Sequence, residues 1–476
     1  MPLAVNEQSE QVAALAKLYP ALEALQEGTP AMRAGGVAFL PKWPNEENIS
    51  YQARLATATL FPAYRRTATV MGGKPFSKPL VLNEDVPAQI VGWAENIDRM
   101  GVNLHAFASE LFDEAVAYGF CGILVDYPDT AVRDGAGNVL PPQPRTVAQV
   151  EAEGIRPYWV RIKHDQILGW RTDMVNGQPR LSQLRLMESV EEPDGDFGTV
   201  HVAQVRVLYP GGWQLWRETG KNGSWALYRE GRTTLREIPF APVYGRREGF
   251  MYGKPPLLDL AFLNIKHWQS QSDQDTIEHV ARVPILAGVG IDDEDWQISV
   301  GASTAVRLPV GADLKFVEHS GAAIKAGAES LIRLEEQMIQ AGAELLVKKP
   351  GDRSATESAN DAEANKCDLQ RMAEMFEDSI DLALQFTADF ARLGSGGTCT
   401  VYKDFGEATL SDASGQLVLA MQQGGLISKA TAIAELQRRG ELREDIDADT
   451  ELALVEEEGP PPGMLGQMPE DNEEQP

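Results

Sequence analysis

The sequence predicts an α+β protein that combines long helices with one antiparallel β region. Apolar residues recur at helical spacing over residues 51–73, 257–282 and 322–347. Residues 156–245 consist instead of short β-branched and aromatic segments separated by Gly-containing turns. The chain has 476 residues, which is long enough for two or more packed regions.

The first part of the chain predicts helices that prolines interrupt. Residues 11–27 are rich in Ala and Leu, and Pro20 is expected to break or restart the helix there. Residues 51–73 also have helical spacing. Over residues 104–115 the apolar residues lie on one helix face, and Gly119 precedes the apolar run 123–125. This pattern predicts a helix that runs into a buried strand.

Six segments between residues 156 and 245 predict antiparallel strands. Asn176-Gly177, Pro210-Gly211-Gly212 and Asn222-Gly223 mark turns between them. The aromatic residues of this region are expected to pack within a two-sided sheet rather than to stack on nucleic-acid bases. The predicted strands are RPYWVRI, LSQLRLM, HVAQVRVLY, WQLWRE, WALYRE and TTLREI.

Two long helices are predicted in the second half of the chain. The first, residues 257–282, contains the segment QSQSDQDT (269–276), which is polar on every side and needs neighbouring helices or water around it. The second, residues 322–347, has a broad apolar stripe that favours helices packed alongside. Residues 284–320 between them contain β-like pieces and an acidic turn.

The remaining chain predicts further helices and an acidic end. Pro350-Gly351 ends the second long helix, and Ser354 with Glu357 forms a capping box that starts a helix reaching about residue 393. A short strand, CTVYKDF, and a helical region follow. The Pro-rich segment beyond Val455 is expected to be disordered.

Charge and cysteine content limit the function classes. The net charge of −27 argues against tight DNA binding, although residues 441–476 alone hold 13 acidic residues against one Arg. A mildly acidic body suits a protein along which DNA slides. The three cysteines, which are widely spaced, support neither a disulfide framework nor a zinc site. The chain is expected to be neither exported nor inserted in a membrane, because no apolar run approaches roughly 18 residues.

No catalytic constellation emerges from the residues. Gly72-Gly73-Lys74 resembles the end of a phosphate loop, but Pro75 stands where Ser or Thr should bind magnesium. Gly394-Ser395-Gly396 lacks the spacing of a nucleophile elbow. The six histidines lack ligand spacing and are expected to be structural or exposed. The acids at 292–295 could hold a divalent cation, but a solvated loop or a contact for a basic partner is the favoured interpretation.

Several segments, in this order along the chain, resemble the portal proteins of tailed double-stranded DNA phages, which are head-to-tail connectors. The segments YQARLATATLFPAYRRTATVMGGKPFSKP (51–79) and NIDRMGVNLHAFASELFDEAVAYGFCGILVDYP (96–128) are similar to a portal-like family. Residues 253–288 resemble the entry into the portal stem, and residues 424–458 resemble the C-terminal portal helices. GDRSATESANDAEANK (351–366) resembles the tunnel loop, although Ala355 and Thr356 depart from the usual S-G-x-A-L pattern.

The resemblance implies a portal fold with wing, stem, clip and crown regions. The regions it implies are a wing at 1–254 with a β-rich part at 155–250, stem helices at 257–283 and 321–347, a clip at 284–320, a tunnel loop at 348–356, a wing return helix and strand at 357–407, a crown at 408–455 and a disordered acidic tail at 456–476.

The resemblance also implies function and partners. It implies a ring, usually of twelve subunits, at one capsid vertex, through which double-stranded DNA is packaged and ejected. The implied partners are the large terminase, head-completion, adaptor or tail proteins, and the major capsid and scaffolding proteins. The protein would lie in the virion after assembly in the host cytoplasm. Neither a cofactor nor an enzymatic activity is implied.

Three groups of residues become site candidates. Lys348, Lys349 and Arg353 would contact DNA at the tunnel loop, although the two lysines could equally complement a helix dipole. The clip would contact a partner, and one helix face would line the channel. The residues of the clip contact are Asp292, Asp293, Glu294, Asp295 and Trp296, and those of the channel face are Gln269, Ser272, Asp273 and Thr276.

Two alternatives stay open. One is a phage structural or adaptor protein that assembles without conducting DNA. The other is a metal-dependent hydrolase that uses Asp292, Asp293 and Asp295.

Overall fold

The computed structural model describes residues 3–130, 146–219, 223–282, 285–289, 313–317, 321–343, 367–403 and 428–438, with a few single residues between and beyond them. The chain forms two compact units, residues 1–403 and 404–476. Helices and antiparallel sheets both contribute to the first unit, which confirms the predicted α+β class.

Short helices open the first unit. Pro20 lies in the first turn of its helix, where its missing N–H costs no hydrogen bond, so the predicted interruption separates two helices. Pro62 stands directly before another helix, so residues 51–73 also form two helices rather than one. The helices are α1 (Glu10–Ala16), α2 (Tyr19–Glu27), α3 (Thr29–Ala34), α4 (Asn48–Thr57), α5 (Ala63–Gly73) and α6 (Ala88–Ala94).

Helix α7 (Leu104–Tyr118) runs directly into the buried strand β2 (Phe120–Asp126), as predicted. Asn103 begins the helix, since its side chain accepts a hydrogen bond from Ala106 N at 2.9 Å. Gly119 ends it in the left-handed conformation, with φ of +88°. A side chain at this position would also collide with the backbone of residues 254–255. Both the positive φ and this close approach therefore require glycine.

The central sheet has the antiparallel order β3-β2-β9, with β3 at Tyr158–Ile162 and β9 at Phe240–Tyr244. Helix α11 (Asp368–Ala391) packs on it, and Ser379 Oγ donates to Pro242 O at 2.8 Å. Phe376 of α11 also meets Phe112 of α7 edge to face, with ring centroids 5.2 Å apart. These contacts join the two helices and the sheet into one core.

A five-stranded antiparallel meander lies between these elements in the chain. Asn176, Gly177 and Gly211 adopt positive φ at two of its turns, as predicted. The prediction missed the first strand, and TTLREI (233–238) is wrong, because this stretch is an irregular connection whose apolar residues are buried without a strand partner. The strands are β4 (Ile167–Val175), β5 (Gln178–Asp194), β6 (Gly198–Tyr209), β7 (Gly212–Thr219) and β8 (Ser224–Arg232).

The two predicted long helices are present as α9 (Leu258–Arg282) and α10 (Ala322–Ala343). Strands β12 (Ile285–Val289) and β13 (Asp313–Val317) follow α9 and precede α10, and they pair antiparallel, with Ile285 opposite Val317. The remaining elements of the first unit are α8 (Val147–Ala152), β1 (Val81–Leu82), β10 (Arg246–Gly249), β11 (Tyr252–Lys254) and β14 (Cys399–Thr400).

The described part of the second unit is chiefly helix α12 (Lys429–Arg438), within the helical region predicted near the end of the chain. Ser428 begins this helix, since its hydroxyl accepts a hydrogen bond from Thr431 N at 3.1 Å.

Candidate functional site

Helices α9 and α10 pack as an antiparallel hairpin that continues into β12 and β13. His267 Nε2 lies 3.3 Å from Glu335 Oε1, and farther along α9 Gln274 Nε2 donates to Ile324 O at 3.1 Å. Residue numbers therefore increase along α9 in the direction in which they decrease along α10, so the two helices are antiparallel. At 1.5 Å per residue the 25 residues of α9 span about 37 Å. Helix α9 is therefore the longest helix among the described residues.

The polar segment 269–276 of α9 has neighbours on several sides, as a helix without an apolar face requires. Gln269 Nε2 donates to Phe39 O at 2.9 Å. Gln274 is buried against α10, where the absence of a side chain at Gly327 makes room for its amide. The segment is consequently held both by the beginning of the chain and by the second helix of the hairpin.

The four predicted channel-face residues lie in different environments. Gln269 and Asp273 face residues 39–54, and Ser272 is only 2% exposed. Thr276 is half-buried, and its hydroxyl donates to Ser272 O at 2.8 Å. Ser272 Oγ has no hydrogen-bond partner within the described residues. A channel face belongs to an assembly of several copies, so it stays a prediction.

Arg54 of α4 connects the beginning of the chain to α9. Its guanidinium binds both carboxylate oxygens of Glu46, at 2.9 and 2.8 Å, and lies over the Trp43 ring at 4.2 Å from the centroid. Trp43 Nε1 donates to Asp273 Oδ1 at 3.1 Å. Hydrogen bonds from Arg54 lower the pKa of Glu46, whereas burial raises the pKa of Asp273. Sequence reasoning missed this cluster, because its members are far apart in the chain and match no motif.

Asn264 makes a second connection between α9 and the early helices. Its Oδ1 accepts from Tyr64 N at 2.9 Å, and its Nδ2 donates to Phe61 O at 2.8 Å. The Asn264 side chain therefore satisfies a free N–H in the first turn of α5, which has no capping side chain of its own. Asn264 is fully buried. The hairpin base and α5 are thus fixed to one another.

The outer face of α10 exposes apolar residues that the described part of the chain does not cover. Leu331, Leu334 and Met338 are buried, whereas Ile332 and Ile339 are 55% and 71% exposed. The two isoleucines are seven residues apart, so they lie one above the other on the helix surface. The candidate site therefore combines the polar segment 269–276 of α9 with this exposed apolar pair on α10.

Two of the predicted residue groups lie outside the described residues. They are the tunnel-loop cations Lys348, Lys349 and Arg353, and the clip residues Asp292, Asp293, Glu294, Asp295 and Trp296. The capping box of Ser354 and Glu357 lies outside them as well.

The motif-like residues that the structure describes have structural neighbours. Gly72 lies in α5 against Asp113 of α7, so close that a Cβ would touch its carboxylate. His164 stacks on Tyr118 with ring centroids 3.7 Å apart, and its Nδ1 lies 2.6 Å from Glu114 Oε1. Gly396 N donates to the Gln385 side chain at 3.0 Å. These contacts explain the residues through packing, without a phosphate loop or a nucleophile.

All three cysteines are free and buried, and burial raises the pKa of Cys121 and of Cys399. Within the described ranges, no three His, Cys, Asp or Glu residues converge as metal ligands. Nor does any helix there have the length and apolar run that a bilayer crossing needs.

A protein-family model matches residues 256–391, from the start of α9 to the end of α11. Its description is Domain of unknown function (DUF4055). The match covers less than a third of the chain. No curated protein matches the sequence.

Among solved structures, the chain is similar to components of gene transfer agent (GTA) particles. One, titled "Neck of empty GTA particle computed with C6 symmetry", has 12% identity and a TM-score of 0.40, over 86% of this chain and 93% of that chain. A second, "Virion of native gene transfer agent (GTA) particle", has 13% identity and a TM-score of 0.39, over 85% and 98%. A third, "Neck of native GTA particle computed with C12 symmetry", has 13% identity and a TM-score of 0.38, over 86% and 98%.

Proposed function

We propose that the chain is a portal subunit, which forms a ring at one capsid vertex and lets double-stranded DNA pass through its centre without catalysing a reaction. The observation that carries the proposal is the α9–α10 hairpin, which exposes an apolar pair on one helix and polar side chains on the other. The resemblance of residues 51–79, 96–128 and 253–288 to portal sequences supports it. In this assignment the hairpin is the stem.

The exposed isoleucines favour several copies over one. Ile332 and Ile339 are 55% and 71% exposed, so burying the rest of each against a neighbouring hairpin would contribute about 1–2 kcal/mol per side chain. Their seven-residue spacing suits packing against another long helix. A ring provides such a neighbour for every copy, because each subunit presents one face to the next.

A channel wall that binds DNA only weakly would allow the DNA to move through the ring. The exposed polar residues of α9 include Lys266 and Asp275, which carry opposite charges. A wall with little net positive charge does not hold phosphates tightly, so DNA can slide. In this proposal the channel side of the stem is the polar segment with Gln269, Ser272, Asp273 and Thr276. Ser272 is only 2% exposed, so it would contribute to the packing of this segment rather than contact DNA.

The proposed partners follow from the same assignment. Lys348, Lys349 and Arg353 would form weak, salt-sensitive contacts with phosphates at the narrowest point. Residues 292–296 of the clip would meet the terminase during packaging and an adaptor or tail protein afterwards. The ring would lie in the virion, next to the major capsid protein.

Electron microscopy and mass measurement of the purified protein test the ring. We expect closed rings with a central opening wide enough for duplex DNA. The double variant I332E/I339E should lose rings, because it places two charges in the copy-to-copy contact. The control S330E/Q337E adds the same charge at the same seven-residue spacing on the other side of the exposed face of α10, and it should keep them.

The outcomes separate the alternatives. A protein that stays a single chain at high concentration would refute the proposal. Assemblies without an opening would favour a non-conducting structural protein. If I332E/I339E and S330E/Q337E had equal effects, Ile332 and Ile339 would not be part of the contact between copies.

A packaging assay tests the tunnel-loop assignment. The variant K348A/K349A/R353A should assemble normally but package or retain less DNA. Normal filling of particles by this variant would contradict the assignment.

A further inference from the structure

The hairpin of β5 and β6 extends well beyond the sheet to which it belongs. Strand β4 pairs with β5 as far as Leu186, and β7 pairs with β6 from Gln204 onwards. Residues 189–194 and 198–203 therefore pair only with each other. At 3.4 Å per residue this free part is about 20 Å long. We call residues 189–203 the arm.

The tip of the arm is an apolar side chain that follows two acids. Phe197 is fully exposed, at 102%. The turn that it occupies uses Asp and Gly residues for its geometry and does not need an aromatic side chain. Asp194 and Asp196 precede it in the same turn and have no counterion within the described residues. The arm contains four acidic residues and no Lys or Arg.

A cleft of about 580 Å³ lies between the irregular connection 233–238 and the end of α11. Its lining includes Leu235 and Phe386, which are only 7% and 6% exposed and give it an apolar floor. This volume admits a phenylalanine ring. The cleft is therefore complementary in size and polarity to the tip of the arm.

The charges at the cleft are also complementary to the arm. Glu237 is paired with Arg180, whereas Asp389 keeps its charge and accepts a hydrogen bond from the neutral Gln385 Nε2 at 2.8 Å. Arg236 and Arg392 also line the cleft, and both are exposed. In the part of the chain that the structure describes, neither has an acidic partner. Two unpaired cations thus border an apolar floor.

The arm cannot reach the cleft of its own chain. Strand β5 runs without a break from Arg180, which is ion-paired to Glu237 in the cleft, to Asp194 at the tip. Fourteen residues of extended strand correspond to about 48 Å. The tip of the arm and its complementary cleft therefore lie near opposite ends of one strand. Two different surfaces of this kind allow a head-to-tail contact between copies.

We propose that Phe197 of one copy inserts into the cleft of the next copy, with Asp194 and Asp196 against Arg236 and Arg392. The occupant of the cleft is thus a second copy of this chain. This contact rests on the proposed function, because both require several copies of the chain to assemble. A head-to-tail contact closes into a ring when the rotation between copies divides a full turn.

Variants of the tip provide the first test. The concentration at which copies assemble is measured by mass photometry and sedimentation. We expect F197D to raise the midpoint at least tenfold, whereas F197M should leave it within about twofold. Urea unfolding of F197D at low concentration should match the wild type, because the Phe197 side chain is fully exposed.

Charge exchange provides the decisive test. D194R/D196R has a basic arm tip and a basic cleft, and R236D/R392D has an acidic arm tip and an acidic cleft. Each alone should assemble at least tenfold more weakly, whereas an equal mixture should recover assembly, because each arm then meets an opposite cleft. The control E84R/E95R makes the same charge change as the arm variant at exposed sites and should assemble normally.

The result also distinguishes the two proposals. If the wild type forms rings and the exchanged variants assemble as it does, or if their mixture recovers nothing, the arm contact is refuted and the ring stands. If the wild type forms no assembly at any concentration, the ring itself is refuted.

Discussion

Replacing Asp113 by Asn should change how the stability of the protein depends on pH. Asp113 lies on α7 against Gly72 of α5, and its Oδ1 is buried without a hydrogen-bond partner within the described residues. Burial raises the pKa of this carboxyl from 3.8 to about 6. The folded protein therefore binds a proton more tightly than the unfolded chain does. The wild type should lose stability as the pH rises from about 4 to about 6.

The size of the effect follows from the two pKa values. The full difference corresponds to about 3 kcal/mol. Water reaches part of the carboxyl group, and solvent screening reduces such interactions, so we expect about 1 kcal/mol at neutral pH. Asn has the same shape and no charge. D113N should equal the wild type near pH 4 and exceed its stability by that amount at pH 7.5.

Urea unfolding, followed by tryptophan fluorescence at pH 4.5, 6 and 7.5, measures the difference. The control is D173N, which alters an exposed aspartate on β4 and should shift little between these pH values. The reasoning is wrong if the difference between D113N and the wild type is constant across this range, or if D113N is the less stable protein at pH 7.5.

Three further pairs of variants test the packing by the same measurement. G72A should destabilise the protein, because its Cβ would meet the Asp113 carboxylate, whereas G73A, with open space around it, should gain up to about 1 kcal/mol from helix propensity; equal effects would contradict this packing. N264A should cost about 2 kcal/mol by leaving Tyr64 N and Phe61 O unpaired, whereas K266A on the surface of α9 should cost little. A small loss for N264A would show that the cap contributes little. H164A should cost about 2 kcal/mol through the lost stacking and hydrogen bonds, and the exposed H201A should not. Similar losses for both histidine variants would count against the role of His164.

Local patterns predicted most of the elements, because they reflect short-range physics. The apolar stripe over residues 104–115 and the glycine after it located α7 and β2. The stripe over 322–347 located α10. Strand β4 was missed because its outer half, residues 171–175, is exposed and places three polar residues before two apolar ones, so the alternation that identifies a strand is absent. TTLREI was wrong because Leu235 and Ile238 are buried by an irregular connection, and burial alone produces the same pattern.

The contacts of the site were beyond prediction, because they join distant parts of the chain. The polarity of residues 269–276 indicated neighbours or water, but it could not identify Trp43 or Phe39 as those neighbours. Asn264 appeared as one polar residue on an otherwise ordinary helix, and only the fold shows that it caps α5. The exposure of Ile332 and Ile339 likewise depends on which face of α10 meets α9.

The burial of all three cysteines has a practical consequence for following this protein in motion. Shielded thiols react slowly with maleimides, so a single cysteine added at an exposed position would be the fast-reacting site in the folded chain. Fluorescent dyes could then be attached without first removing the native cysteines. Energy transfer between labelled copies would report whether and how closely copies of the chain associate.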